Sequence, residues 1–342
     1  MENITESVLI DFCTSVSGFC GREDVIHEVF CQSLYQAGLL NTKLQREHRC
    51  GPIKKCDIVL IDDGKLSHAI EIKGGAYAHR NSLSELYRKY KREGEIADVK
   101  NLEQCSENGI ESWFICIDMP DLGRALDDGQ VQELTQLCHS KNINFLYYCQ
   151  KDKSAMIVIK GNIKTLKISK PEYSTVNKTF KDVLSEAASS DFEFISNVDG
   201  HEANITSHLY NLARRSGLAV PQISLETYFV AAGTGKRGGF YRPDMVLFES
   251  DFDGRFNLYS DGNVERNLDQ HKMPSVRSLI EVKGGSSFRK QSTQKRLKDC
   301  LADAKKLNMW REIFSEHSSI ELSFLVADSI TKPMTKDLIE QI

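Results

Sequence analysis

The chain has 342 residues, with 44 Lys and Arg against 48 Asp and Glu, a net charge of −4, 40% hydrophobic and 27% charged residues. That length suggests roughly two domains, each able to bury a core without staples, and the composition excludes collagen-like, disordered and low-complexity chains. A mildly acidic chain does not coat nucleic acid through charge alone, so any such contact needs local basic patches or bound cations.

The N-terminal stretch MENITESVLIDF starts acidic and lacks the basic and apolar regions of a secretory signal, which predicts a cytoplasmic protein. No apolar run approaches the ~20 residues that span a bilayer, so no membrane partner is expected. Nine of the ten cysteines fall between Cys13 and Cys149, with only Cys300 beyond, and none forms a C-x-x-C pair. They read as small buried hydrophobes.

Along the chain, a helical stretch containing His27, Glu28, Leu34 and Tyr35 comes first. Two apolar strands follow: Cys56-Asp57-Ile58-Val59-Leu60-Ile61, then Ala69-Ile70-Glu71-Ile72-Lys73 closed by Gly74-Gly75. A charged helical stretch with Arg88, Lys89, Lys91 and Arg92 leads to a strand from Trp113 to Asp118. A helix near Gln130 to His139 and strands near Asn144 to Tyr148 and Ala155 to Ile159 extend this half to about residue 165. Residues 166–190, with the polar, Pro-containing stretch Ser169 to Ser174, read as a linker.

From residue 191 to 342 the order recurs. His201 and Glu202 open a helix with Ile205, Leu209, Leu212 and Ala213 on one face, one residue longer than its counterpart at His27-Glu28. The glycine-rich stretch Gly233 to Gly239, carrying Lys236 and Arg237, lacks the spacing of a phosphate loop and reads as a flexible basic loop that reaches into a groove. Pro243-Asp244-Met245-Val246-Leu247-Phe248 is a strand, Ser250 to Pro274 an exposed insertion, and Leu279-Ile280-Glu281-Val282-Lys283-Gly284-Gly285 the second motif strand. Arg289, Lys290, Lys295 and Arg296 follow it, then a strand from Leu322 to Asp328. Glu71 and Glu281 are 210 residues apart, and each motif lysine precedes its strand-end Asp by 45 residues. Both halves therefore read helix, strand, strand, helix, strand.

Alternation along a strand puts Glu71 and Lys73 on one face, and likewise Glu281 and Lys283. If the paired strands are neighbours, Asp57 joins the first pair and Asp244 the second. Two carboxylates with the intervening carbonyl, of Ile72 or Val282, make an all-oxygen set suited to Mg²⁺ or Mn²⁺. The lysine sits where it orients or deprotonates a water, or neutralises a phosphate.

On these residues the chain resembles a tandem of two PD-(D/E)xK nuclease domains, the fold of many type II restriction endonucleases. The second copy matches the pattern in Pro243-Asp244 and Glu281-Val282-Lys283, whereas the first has Cys56 in place of Pro. The resemblance implies an α/β protein of two restriction-endonuclease-like domains, each a mixed central β-sheet flanked by helices, joined as an intramolecular pseudo-dimer. It implies catalytic Asp57, Glu71, Lys73, Asp244, Glu281 and Lys283, with Glu28 and Glu202 as additional acidic residues at the metal, matched by position. The expected activity is Mg²⁺- or Mn²⁺-dependent hydrolysis of double-stranded DNA, one site per strand, of the restriction or phage-defence kind. An RNA or single-strand nuclease, a nicking enzyme with one inactive copy, and a non-catalytic nucleic-acid-binding module are the alternatives. A homo-oligomer or a defence-system partner stays open.

Of the remaining features, His27 and His201 read as surface or capping residues rather than as the helix histidine of a cap-snatching type of nuclease. Gly74-Gly75 and Gly284-Gly285 read as strand-ending turns that also let a phosphate approach the backbone. The basic residues Arg88, Lys89, Lys91, Arg92, Arg289 and Lys290 read either as DNA backbone contacts or as solvated helix faces. Asp118 and Asp328 read as structural.

Overall fold

Apolar strands with a charged residue at one end need neighbours on both edges, and the two motif strands obtain them in the same order. The computed structural model describes residues 4–18, 23–39, 44–49, 55–74, 83–118, 126–172, 176–197, 202–225, 229–230, 240–241, 243–252, 276–313, 319–328 and 333–334. The chain divides into two units, the first ending at Glu172.

The first unit opens with α1 (Glu6–Val16), capped by the Thr5 side chain, and α2 (Glu23–Gln36). Strands β1 (Leu44–Arg49), β2 (Lys55–Asp62) and β3 (Lys65–Gly74) follow, then α3 (Leu83–Glu93), α4 (Ala97–Glu107) and β4 (Glu111–Asp118). The unit closes with α5 (Asp128–Ser140), whose Asp127 and Gln130 form a capping box, and with β5 (Asn144–Cys149), β6 (Ser154–Ile159) and β7 (Asn162–Lys167). These strands form one mixed sheet in the order β1-β2-β3-β4-β5-β6-β7. The pairs β3·β4 and β4·β5 are parallel and the others antiparallel. Central β4, ESWFICID, is buried almost throughout, as a strand covered on both faces requires. Ala69, Phe114, Cys116 and Phe145 join one core with Leu83, Val99, Leu102, Leu134 and Cys138 from α3, α4 and α5. Alternation leaves Ile70 and Ile72 for the opposite face.

The second unit begins with α6 (Phe180–Ser185), α7 (Ser189–Asn197) and α8 (Glu202–Arg215). Then come β8 (Ile223–Leu225), the short pair β9 (Phe229–Val230) and β10 (Phe240–Tyr241), and β11 (Met245–Phe248). The unit continues with β12 (Val276–Lys283), α9 (Gly285–Arg289), α10 (Thr293–Ile313) and β13 (Glu321–Val326). Its four-stranded sheet, β13-β12-β11-β8, repeats the order β4-β3-β2-β1 with the same senses. The register repeats too: Glu71 pairs with Phe114 and Glu281 with Phe324, each partner again 210 residues apart.

Both units are thus mixed sheets flanked by helices, as the sequence predicts, but with strands it does not. β1 (LQREHR) has a single apolar residue, β8 spans three residues, and the residues of β7 are nearly all exposed, so none carries a periodic signal. The predicted 166–190 linker is also corrected: β7 reaches Lys167 and α6 belongs to the second unit. Phe180 is 1% exposed and its amide donates to Ser278 Oγ of β12 at 3.0 Å. Most of the predicted insertion from Ser250 to Pro274 lies outside the described residues. Every described cysteine is free and buried, so the small-hydrophobe reading holds for those residues. Among the described residues no helix is long and apolar enough to cross a membrane.

The first glycine of each GG pair is a packing requirement. A Cβ on Gly74 would lie 2.7 Å from the Ile117 carbonyl oxygen of β4, and one on Gly284 would meet Ile205 and lie 2.9 Å from Ala327 Cβ. Gly74→Ala and Gly284→Ala are each expected to cost about 1–3 kcal/mol of stability through overpacking, read as a lower urea midpoint at unchanged slope.

Candidate metal and hydrolytic centre

Each site is assembled where the motif strand passes the N-terminus of a helix, with an Asp near the start of the neighbouring strand: Asp57 in β2 and Asp244 just before β11. In the first unit Asp57 Oδ2 accepts from the Ile72 amide at 2.9 Å. In the second, Asp244 Oδ2 accepts from Val282 at 2.6 Å. Asp57 hydrogen-bonds to Glu71, and Asp244 to Glu281. Glu71 and Glu281 are each 2% exposed. In each site the motif Asp and Glu are therefore hydrogen-bonded side by side.

In the first site the Lys73 ammonium lies 3.6 Å from carboxylate oxygens of Glu23, Asp57, Glu71 and Asp98. In the second, Lys283 Nζ lies 2.9 Å from Asp303 and 3.4 Å from Glu202, and Lys306 also pairs with Asp303. Among the described residues no three acidic, His or Cys side chains close around one point as metal ligands. The cation among these carboxylates is the motif lysine.

Charge accounts for the protonation pattern. Burial, then the adjacent Asp57, pushes Glu71 well above the usual carboxylate range. Burial, then Asp244, lifts Glu281 to about 9. Burial would raise Asp57 as well, but the His27 and Lys73 charges with the Glu71 and Ile72 hydrogen bonds hold it below its usual value. Asp244 stays raised, burial being the largest cause. Burial opposes the charge on Lys73, yet the surrounding carboxylates, Asp57 first, raise it well above its usual value; Glu202 and Asp303 do the same for Lys283. Both lysines are thus held as ammonium ions, suited to orienting or neutralising an anion and not to accepting a proton.

Two carboxyl groups and a strand carbonyl are oxygen donors of the kind a hard divalent cation takes, but among the described residues they do not close around one point with a third acidic, His or Cys side chain. Burial and the neighbouring Asp favour the protonated form of Glu71 and of Glu281, even with the motif lysine close by. A cation held by Asp57, Glu71 and the Ile72 carbonyl, or by Asp244, Glu281 and the Val282 carbonyl, would displace that proton.

The helix acids require a correction. Glu28 is turned away from the site and ion-pairs with buried Arg46. The counterpart of Glu202 is Glu23, also the first residue of its helix. Glu23 accepts from the Gly74 amide at 3.1 Å and Glu202 from the Gly284 amide at 3.2 Å. Burial lifts Glu23 to about 7, partly offset by Lys73. α2 and α8 therefore correspond at an offset of 179 residues, not through the shared His-Glu letters.

His27 is likewise neither exposed nor a cap. It is 5% exposed, and its Nε2 lies 3.6 Å from Asp57 Oδ2. Burial lowers it to about 4 against the pull of Asp57. His201 lies outside the described residues. Sequence reading also missed Asp98 on α4 and Asp303 on α10.

The predicted nucleic-acid contacts divide. Arg88, Lys89, Lys91 and Arg92 are exposed on α3, but each pairs with a glutamate, at 3.2, 3.9, 2.9 and 3.0 Å. Arg289 is partly buried and donates to the Ser196 carbonyl, so it is tied to α7. Lys290 is exposed. Arg296 is 1% exposed in an ion pair with Asp328, so it serves the interior. Lys236 and Arg237 lie outside the described residues. Asp118 accepts from Leu126 N at 2.8 Å and Tyr147 Oη at 2.6 Å, a structural role as expected.

No family model and no curated protein matches the chain. The chain is similar to a solved structure, Pyrococcus furiosus SfsA in complex with Ca²⁺, at 16% identity and a TM-score of 0.22. That match covers 42% of this chain and 64% of that one.

Proposed function

We propose that the protein is a metal-dependent endonuclease of the PD-(D/E)xK, restriction-endonuclease-like kind, hydrolysing phosphodiester bonds of double-stranded DNA at two sites, in restriction or phage defence. The supporting observation is the twofold convergence of an Asp, a buried Glu and a charged Lys on matched strands. A buried cluster of carboxylates around a lysine is an expensive arrangement for a merely structural sheet end. A bound Mg²⁺ or Mn²⁺ would supply charge neutralisation on the phosphodiester and favour attack by water. Lys73 and Lys283 hold the attacking water or a phosphate oxygen. Glu23 and Glu202, anchored on the glycine amides, fix the lysine ends.

The glutamate-paired cations of α3 disfavour that helix as the main DNA contact, since its charge is already matched locally. The test uses end-labelled duplex DNA, single-stranded DNA and RNA of one sequence, each with Mg²⁺, Mn²⁺ or EDTA. Cleavage of the duplex with metal and none with EDTA is expected. Preferential cleavage of RNA or single strands reassigns the substrate, and no cleavage of any strand overturns the enzymatic reading.

A further inference from the structure

Beside the first site lies a buried cluster with no counterpart among the described residues of the second. Arg46 on β1 is 4% exposed, ion-pairs with Glu28, and donates through Nε to the Asp57 carbonyl at 3.1 Å. A terminal nitrogen of Arg46 lies 2.8 Å from His27 Nδ1. A guanidinium only donates, so His27 Nδ1 has to accept. Across the ring, Nε2 faces Ile72 O at 3.5 Å, Asp57 Oδ2 at 3.6 Å and Glu23 Oε1 at 3.9 Å. A carbonyl and an ionised carboxylate only accept. Both sides of the ring demand the same placement of one proton.

We propose that Arg46 is a positioning residue that holds His27 in the tautomer carrying its proton on Nε2, so that His27 donates toward the Asp57 and Ile72 oxygens and is not a ligand of a cation bound there. A ligating imidazole nitrogen must be free of its proton. Freeing Nε2 would move that proton to Nδ1, against the Arg46 N–H groups. The inference deepens the proposed function, and rests on it only where a bound cation is concerned.

Among the described residues the second site shows no such device. At the helix offset set by Glu23 and Glu202, Thr206 and Ser207 stand where the first unit has His27 and Glu28. Ile26 and Ile205, matched by the same offset, are both 0% exposed. Arg46 pairs with Ile58, next to Asp57, and Leu225 pairs with Met245, next to Asp244, so leucine replaces the arginine. Among the described residues both sites then offer a cation oxygen ligands, and the first adds an N–H donor to its aspartate.

The test is nitrogen-15 NMR of the full-length protein labelled at histidine, metal-free at neutral pH, with His27 assigned by its loss in His27→Gln. The expected spectrum is that of a ring protonated at Nε2 and bare at Nδ1, unchanged on adding Mg²⁺. A proton on Nδ1, a doubly protonated ring, or transfer of the proton to Nδ1 with Mg²⁺ overturns the inference. In Arg46→Leu/Glu28→Leu, which leaves no buried charge unpaired, a mixture of tautomers is expected, and Arg46→Lys is expected to restore the single form. An unmixed Nε2–H ring in the double variant overturns the positioning role. Because the spectrum is read without hydrolysis, an inactive protein with the expected ring sinks the nuclease reading alone, and an active protein with Nδ1–H sinks this inference alone.

Discussion

Glu281→Gln is expected to stabilise the metal-free protein at alkaline pH while removing hydrolysis at its site. The folded protein binds the Glu281 proton far more tightly than the unfolded chain, lifting the carboxyl from 4.5 to about 9 through burial and Asp244. Its contribution to stability is therefore complete below about pH 4.5 and is lost as pH rises through about 9. Melting of the metal-free wild type should fall across that window, and Glu281→Gln should flatten the fall. At pH 9 the variant should gain on the order of 2–4 kcal/mol, discounted for sharing of the proton with Asp244. Glu71→Gln should behave alike, since its carboxyl is raised for the same reasons. Loss of a carboxylate that holds the cation should cost about 10³-fold or more in cleavage at that site. Melting curves at several pH values, with and without Mg²⁺, read the first effect. Each variant should lose the part of the Mg²⁺ stabilisation at high pH that its own site supplies and keep the other, and a response equal to that of wild type would contradict the assignment.

Arg46→Leu is expected to be among the most destabilising single changes in the first unit. Arg46 and Glu28 are 4% and 3% exposed, so removing the guanidinium strands a buried carboxylate. Breaking such a pair costs about 3–5 kcal/mol, whereas replacing both partners by apolar groups is often neutral. Arg46→Leu/Glu28→Leu should therefore recover most of the loss, and urea unfolding of the two single variants and the double closes the cycle. If both single changes cost under about 1 kcal/mol, the pair is solvated rather than buried.

The recurring strands were legible because their signals are local. An apolar run broken by Glu and Lys two residues apart is unusual enough to be matched 210 residues later. The same reasoning found α5, β5 and β6, where periodicity is strong. It failed at β1, whose residues are mostly polar; Arg46 looks like a solvated residue and is 4% exposed. Matching His27-Glu28 to His201-Glu202 by letter chose the wrong offset, because the acid that reaches the site is set by which helix end meets Gly74. No motif marks Glu23 as that residue. Asp98 and Asp303 escaped for a related reason: they follow their motif lysines by 25 and 20 residues across crossovers built from different helices.

The most direct test is cleavage of supercoiled plasmid in Mg²⁺ by wild type, Lys73→Ala, Lys283→Ala and the double variant. With one working site per strand, wild type linearises the plasmid, each single variant only nicks it, and the double variant leaves it supercoiled. Linearisation by the double variant, or no cleavage by wild type in either Mg²⁺ or Mn²⁺, contradicts the account.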